Sequence, residues 1–551
     1  MPPTHEVANQ VPPLGDVDTA ADPALLEALH REDAGWAEAE VHAAGRLAGS
    51  EQAREWGRLA NEYPPVLRTH DRVGHRIDEV EFHPAWHELL GTAVRLGLTA
   101  APWGDDRPGA HAAHAATTLA WTQVEAGHMC PVGMTYAAVP TLRHAPELAA
   151  VYEPLLAARE YEPGSRPPAQ KQGLLAGMSM TEKQGGSDVR TNTTRAVRAA
   201  DGTYRLTGHK WFTSAPMCDV FLVLAQAPGG MSCFLLPRIL PDGSRNRMYL
   251  QRLKDKLGNR SNASAELEYD DAVAWLVGEE GNGLRLILEM VDNSRLAVTV
   301  WSAAAMRAAT VAAVHHATHR KAFGAYLHDQ PLMRNVLADL ALESEAATAL
   351  VMRIAGATDR AFGGDDSEAA FRRIAGAVGK YWVCKRTPAH AGEALECLGG
   401  NGYVEDSGIP RLYREAPLNS IWEGSGNVIA LDVLRVLHRE PDSVVAFLGE
   451  LDTALGADRH YDSAVARLRS ELAAVQAAGP GDPAVQFGAR RLAEQMALTL
   501  QASLLLRHGH PAVADGFCAS RLADDRGHTF GALPVGADVG PVIERAQVKA
   551  A

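Results

Sequence analysis

The sequence is poor in the patterns that commit a chain to metal, disulfide or membrane chemistry. Its six cysteines, Cys130, Cys218, Cys233, Cys384, Cys397 and Cys518, show neither CxxC nor zinc-ligand spacing. This excludes a disulfide framework or cysteine-ligated metal and predicts a reduced, cytoplasmic protein. No run approaches the roughly 18 consecutive apolar residues of a membrane span. The opening Met1-Pro-Pro-Thr-His-Glu6 lacks the apolar core of a secretory signal, so no membrane partner is expected. HExxH is absent, and His315, His316 and His319 on a helical stretch read as surface or core residues and not as a metal set. Thr181-Glu-Lys-Gln-Gly-Gly-Ser-Asp188 lacks the Lys-Ser/Thr ending of a P-loop. Neither Gly281-Asn-Gly283 nor Gly399-Gly-Asn-Gly402 continues into GxGxxG after a strand, which leaves a Rossmann site without support. No Gly-x-Ser-x-Gly elbow signals a hydrolase. Positive charge is also short: 53 Lys and Arg stand against 67 Asp and Glu, a net −14, which argues against wholesale electrostatic binding to nucleic acid or anionic membrane.

What is present is the balance of a soluble globular chain, 46% hydrophobic and 22% charged. Its 551 residues exceed one ordinary core. Residues up to about 20, rich in proline and polar groups, are expected to form a loose arm that wraps a neighbouring surface. Helical spacing follows at Ala24 to His30, Glu51 to Leu59 and His111 to Gly127, interrupted by Tyr63-Pro-Pro65 and Ala101-Pro-Trp-Gly104. Near 178 the pattern changes. Thr203 to Thr207, Val220 to Ala225, Ser232 to Leu236 and Glu266 to Tyr269 are short apolar or alternating runs between Gly-containing turns, which predicts a small antiparallel β domain. Helical stretches resume at Ser302 to His319, Met333 to Phe362 and Glu368 to Lys385, and two more, Arg459 to Ala477 and Ala484 to Arg507, flank the breaker Gly479-Pro-Gly-Asp-Pro483. The expected fold is α+β, mainly α: a helical N-terminal domain (1–177), a central antiparallel β domain (178–283), a helical bundle (284–439) and an extra helical C-terminal domain (440–551).

Chemistry concentrates in two stretches far apart. In Trp422-Glu423-Gly424-Ser425-Gly426-Asn427 a carboxylate sits on a short turn that can swing against a substrate. In Met178-Ser-Met-Thr-Glu-Lys-Gln-Gly-Gly-Ser-Asp188 a glycine pair flanked by hydroxyls offers donors to a phosphate or a polar ring edge. Taken with Lys210-Trp-Phe-Thr213, Arg320-Lys-Ala-Phe-Gly324 and Leu398-Gly-Gly-Asn-Gly-Tyr403, these motifs resemble, in order over roughly 250 residues, the acyl-CoA dehydrogenase flavoprotein family. Arg252 to Ser264, Pro417 to Asn427, Gly57 to Asn61, Phe82 to Trp86 and Cys130 to Thr135 are similar to its AidB subgroup, linked to the bacterial DNA-alkylation response.

The resemblance implies FAD as cofactor, held by Met178, Met180, Thr181, Gly186, Ser187, Trp211, Phe212, Thr213, Ser214 and Asn427, with Thr181 on the isoalloxazine edge. Arg320 and Phe323 would come from a neighbouring subunit, which implies a homotetramer built as a dimer of dimers. Glu423 would be the base that removes the α-proton of a short or branched acyl-CoA, its pKa raised by a water-poor cleft. Ser187 and Arg295 fall where substrate contacts are expected, although Arg295 also reads as an exposed arginine at a helix start. Electron-transfer flavoprotein or oxygen would accept the electrons. The AidB likeness adds double-stranded DNA as a possible partner, for which Arg467, Arg490, Arg491 and Arg507 could gather on one face. The C-terminal domain could instead serve only to assemble the tetramer.

Overall fold

In this computed structural model residues 4–548 are described. Their contacts gather into two compact units, Met1–Glu51, Pro108–Gln123 and Val298–Ala551 in one, Gln52–Arg107 and Val124–Ala297 in the other.

The second unit is built around a sheet. A polar hairpin, β1 (Val66–His70) and β2 (Arg76–Glu81), comes first. Its turn is closed by Asp71, whose carboxylate accepts from the amides of Val73 and His75 at 2.9 Å each. The main strands are β3 (Ala176–Ser179), β4 (Arg195–Arg198), β5 (Tyr204–Ser214), β6 (Val220–Ala227), β7 (Gly230–Pro237), β8 (Met248–Leu253) and β9 (Ser264–Val277). Their order is β3-β6-β4-β5-β9-β7, with β8 on β9 and a further β6–β7 pairing that brings the sheet back on itself. The sheet is mixed and not purely antiparallel, because β3 runs parallel to β6 and β4 meets β6 in parallel through Arg195 and Gln226. Along β5 the register against β9 shifts between Lys210 and Thr213. This bulge turns Trp211 and Phe212 out of the regular alternation.

The first unit is helical apart from a short hairpin, β10 (Lys321–Ala322) and β11 (Ala325–Tyr326). Helices Pro331–Phe362 and Asp366–Cys397 pack on each other, and Gly426–Arg439 and Pro483–His508 pack on the second of them. Side-chain caps set the starts of two of them. Asp365 accepts from Ser367 N and Glu368 N, and Asp482 from Ala484 N with Pro483 in the first turn. The breaker at 479–483 therefore ends one helix and begins the next. Asp366–Cys397 runs twelve residues beyond the stretch read from sequence, straight through Pro388; burial of Thr387, His390, Ala391 and Ala394 outweighs the lost hydrogen bond. Gly283–His319 is one described helix long and apolar enough to cross a membrane, yet 83% of its most apolar window is buried inside the protein, the mark of a core helix.

Candidate active site

Strand β3 delivers Met178 to the interior and releases the chain into the loop from Met180 to Asn192. The amide of Trp211 donates to the carbonyl of Thr181 at 2.8 Å, and Asn192 Nδ2 donates to the carbonyl of Met180 at 2.8 Å. Ser179 and Thr213 share a 2.5 Å hydroxyl contact. Met178, Met180, Thr181 and the segment Trp211–Ser214 are thus brought together. Gly186 lies against Thr181, for a Cβ there would stand 2.5 Å from Thr181 Oγ1, and Ser187 follows it on the exposed side. The hydroxyls of Thr181, Ser187 and Ser214 make no hydrogen bond within the described residues. Phe212 is 52% exposed beside them, and Lys254 Nζ stands 3.4 Å from the centroid of the Trp211 ring. Unspent hydroxyl donors around an exposed aromatic face fit a flat ring system with polar edges.

Beneath this loop is a pair that motif reading passed over. Glu182 and Lys210 are fully buried and meet at 2.9 Å. Glu182 also accepts from the amides and hydroxyls of Thr193 and Thr194 and from Gln184 Nε2, while Lys210 Nζ donates to the carbonyls of Leu224 at 2.9 Å and Met180 at 3.3 Å. Burial pushes the Glu182 carboxyl up, but the Lys210 charge and these hydrogen bonds outweigh it and hold the group well below the usual carboxylate range. Burial draws Lys210 down to about 8 against the pull of Glu182. A signal was available, since Tyr204, Leu206 and Lys210 share the inward face of β5.

In the other unit Glu423 has a φ of 56° and Gly424 one of 103°. A glutamate in the left-handed region costs about 1–2 kcal/mol, so the surroundings must hold it there. One carboxylate oxygen, Oε2, is shielded from solvent. The turn is fastened by Trp422 Nε1 donating to Asn419 Oδ1 at 3.0 Å, by Asn419 Nδ2 donating to Ser302 Oγ at 3.0 Å, and by the Lys380 ammonium donating to the Gly424 carbonyl. Trp301 meets Trp422 edge-on, 6.0 Å between centroids. Asn427 is exposed in the first turn of Gly426–Arg439.

Arg320 and Phe323 lie on the β10–β11 hairpin in the same unit as Glu423. Phe323 is 99% exposed at a φ of 51°, followed by Gly324 at 82°, so both turn residues are left-handed and a bulky ring stands in solvent. The amino-terminal arm docks on this hairpin of its own chain. Asn9 Nδ2 donates to the Lys321 carbonyl and Asn9 Oδ1 accepts from the Lys321 amide, each at 2.9 Å; Arg320 donates to the Asn9 carbonyl, and His315 meets the carbonyl of Pro12. Arg295 is no helix-start residue: it is buried within Gly283–His319 and paired with Asp292 at 2.7 Å. The four arginines considered for DNA have these neighbours. Arg467 lies 3.4 Å from Asp524, Arg491 lies 3.9 Å from Glu471, Arg507 is paired with Glu450, and Arg490 packs against Gly426.

Comparison with known proteins agrees with this architecture. Residues 9–163 match the adaptive response protein AidB N-terminal domain, 177–272 the acyl-CoA dehydrogenase middle domain and 281–438 the acyl-CoA dehydrogenase C-terminal domain. AidB of Escherichia coli strain K12 is 47% identical over 95% of this chain and 95% of its own length. Acyl-CoA dehydrogenase family member 11 of Caenorhabditis elegans is 32% identical over 82% of this chain and 77% of its own. The solved structure of C. elegans ACDH-11 in complex with C11-CoA has a TM-score of 0.85 at 28% identity, covering 96% of this chain and 95% of that one. One helical unit, and another built on a small sheet that carries a hydroxyl-lined loop, are the parts of a flavin-dependent oxidoreductase of the acyl-CoA dehydrogenase fold. The chain belongs to the acyl-CoA dehydrogenase family, whose cofactor is FAD, and carries the AidB type of N-terminal domain.

Proposed function

We propose that the protein dehydrogenates an acyl-CoA thioester between its α and β carbons, with Glu423 as the base that takes the α-proton. The observation that carries this reading is the Glu423 backbone: a strained, left-handed carboxylate residue, buttressed by Trp422, Asn419 and Lys380, is what a site retains when the direction of one side chain matters. Bound FAD supplies the two-electron acceptor for the β-hydrogen. Thr181, Ser187 and Ser214 would present their hydroxyls to it, Met178, Met180, Gly186 and Thr213 its backbone and packing surface, Trp211 and Phe212 an aromatic wall, and Asn427 a further polar contact. Ser187 and Arg295 remain the proposed contacts to the thioester. The complex of ACDH-11 with C11-CoA supports a ligand of this class. Phe323, standing in solvent beside Arg320, supports an assembly, expected to be a homotetramer, in which a neighbouring subunit covers the hairpin. The cysteines, all free and buried, support a reducing, cytoplasmic setting.

The test is anaerobic titration of the purified flavoprotein with straight and branched acyl-CoAs from four to eleven carbons, following loss of the oxidised flavin band. Glu423→Gln should slow that bleaching by about 10²–10⁴-fold with flavin content unchanged. Bleaching at the wild-type rate removes the base assignment.

A second reading, protection of DNA in the alkylation response, is favoured by the match of residues 9–163 and by the 47% identity to AidB. The ion-paired state of Arg467, Arg491 and Arg507 weighs against it. Salt-sensitive retention of duplex DNA at moderate ionic strength would support this reading, and no retention even at low salt would end it.

A further inference from the structure

Helix Asp366–Cys397 buries Ala377, Lys380, Cys384, Thr387 and Ala391 along one stripe. Four of these are small residues of the kind a packed interface prefers; the fifth is a lysine only 1% exposed. An ammonium is carried to such a position at a cost that its hydrogen bonds must offset. One of those bonds goes to the carbonyl of Gly424, the residue after Glu423.

That carbonyl is a telling acceptor. Glu423 and Gly424 are both left-handed, and glutamate has no local preference for that state. The fastenings through Asn419 and Trp422 lie on the amino-terminal side of Glu423. On the carboxyl-terminal side, Arg490 Nη2 and Lys385 Nζ press on Gly426, 2.7 and 3.3 Å from where a Cβ would stand. Lys380 reaches the segment between these two supports.

We propose that Lys380 is a positioning residue for the proton-abstracting carboxylate: by gripping the Gly424 carbonyl it keeps Glu423 in the left-handed conformation that aims its side chain. The inference rests on the reading of Glu423 as the base. Without the grip Glu423 relaxes to an ordinary backbone state, and its carboxylate moves while the Met178–Ser214 cofactor contacts, on other elements, stay as they are.

The experiment compares full-length wild type, Lys380→Met, Lys380→Arg and Glu423→Gln in anaerobic reduction of the bound flavin by saturated four- and eleven-carbon acyl-CoA. Lys380→Met is expected to lower the rate at saturating thioester about 100-fold, the scale of a misplaced reacting group. Its flavin-to-protein ratio and half-saturating thioester concentration should stay within about threefold of wild type, and Lys380→Arg, which keeps a charged donor, should recover to within about tenfold. Two results overturn the inference: reduction of Lys380→Met at the wild-type rate, or equal loss in the Met and Arg variants accompanied by loss of flavin, as a general packing defect would give. A slow Glu423→Gln with an unaffected Lys380→Met removes only the role of Lys380. A Glu423→Gln as fast as wild type removes the base and this role together. If Lys380→Met does not accumulate folded, Lys380→Gln, with an uncharged and shorter donor, replaces it under the same expectations.

Discussion

Glu182 and Lys210 show how much of the loop from Met180 to Asn192 is decided by side chains buried beneath it. A buried ion pair is weak evidence of stability in itself, because desolvation consumes much of its attraction. Here each partner is also spread over several hydrogen bonds, so the pair knits the loop from Met180 to Thr194 onto β5 and β6. Removing one partner leaves the other charged and buried. Lys210→Met should therefore lose about 3–5 kcal/mol of unfolding free energy in urea titration and shed flavin at lower denaturant than the wild type. Wild-type stability in Lys210→Met would show that the pair is idle. Both residues stand within stretches singled out from sequence, yet their role was not legible there, since a charged side chain in a loop or strand reads by default as solvated. Lys380 escaped for the same reason. The glycines, hydroxyls and carboxylate of the motifs were legible because they follow one another at fixed spacing.

Among the elements, helix Asp366–Cys397 carries a second buried group with a measurable consequence. His390 Nε2 meets the Leu340 carbonyl at 3.0 Å and Thr310 Oγ1 at 3.3 Å, tying this helix to two others, while the Phe530 ring stands edge-on at 5.5 Å. Burial draws its pKa down to about 4. The unfolded chain, with an ordinary histidine near 6.5, then binds the proton first on acidification, so stability contributed by neutral His390 is present above about pH 6.5 and is lost as pH falls toward 4. Between pH 6.5 and 5 this amounts to about 2 kcal/mol. His390→Gln should flatten that part of the pH dependence in urea midpoints measured at pH 7, 6 and 5, and an unchanged slope would assign it elsewhere. The helices themselves were readable from three-to-four spacing and the breakers between them, and most strands from alternation between glycine turns. The β1–β2 hairpin was not, because Arg68, Arg76, Asp78 and Glu79 mask its alternation. The parallel pairing of β3 with β6 joins residues about forty positions apart, and no local pattern reports such a partner.

At the scale of the molecule, the segment beyond residue 440 is part of the helical unit and not an appendage to it. Arg521 pairs with Asp339 and Glu343, both 1% exposed, Arg545 with Glu345, and Arg507 with Glu450, itself bound to Arg353. A chain ending at 440 would strip away the helices Pro483–His508, Pro511–Phe517 and Val539–Ala546 that pack on Pro331–Phe362, and so expose the apolar face of that helix to water. Such a truncation should yield aggregated or unfolded protein by size-exclusion chromatography and circular dichroism. A well-folded, yellow protein of lower oligomeric order would instead assign the segment to assembly. The block's presence and helical content were legible, whereas its attachment was not, because ion pairs spanning nearly two hundred residues leave no trace in spacing.

The clamp between Asn9 and Lys321 has a consequence in time. Its partners are 312 residues apart, so at about 5–20 residues per second of synthesis the arm leaves the ribosome roughly 15–60 s before its docking site exists. Until then Asn9 has nowhere to bind, and the hairpin bearing Arg320 and Phe323 can be braced only after more than half of the chain has been made. The arm therefore spends that interval without its hairpin, and the two are joined only late in the life of the nascent chain.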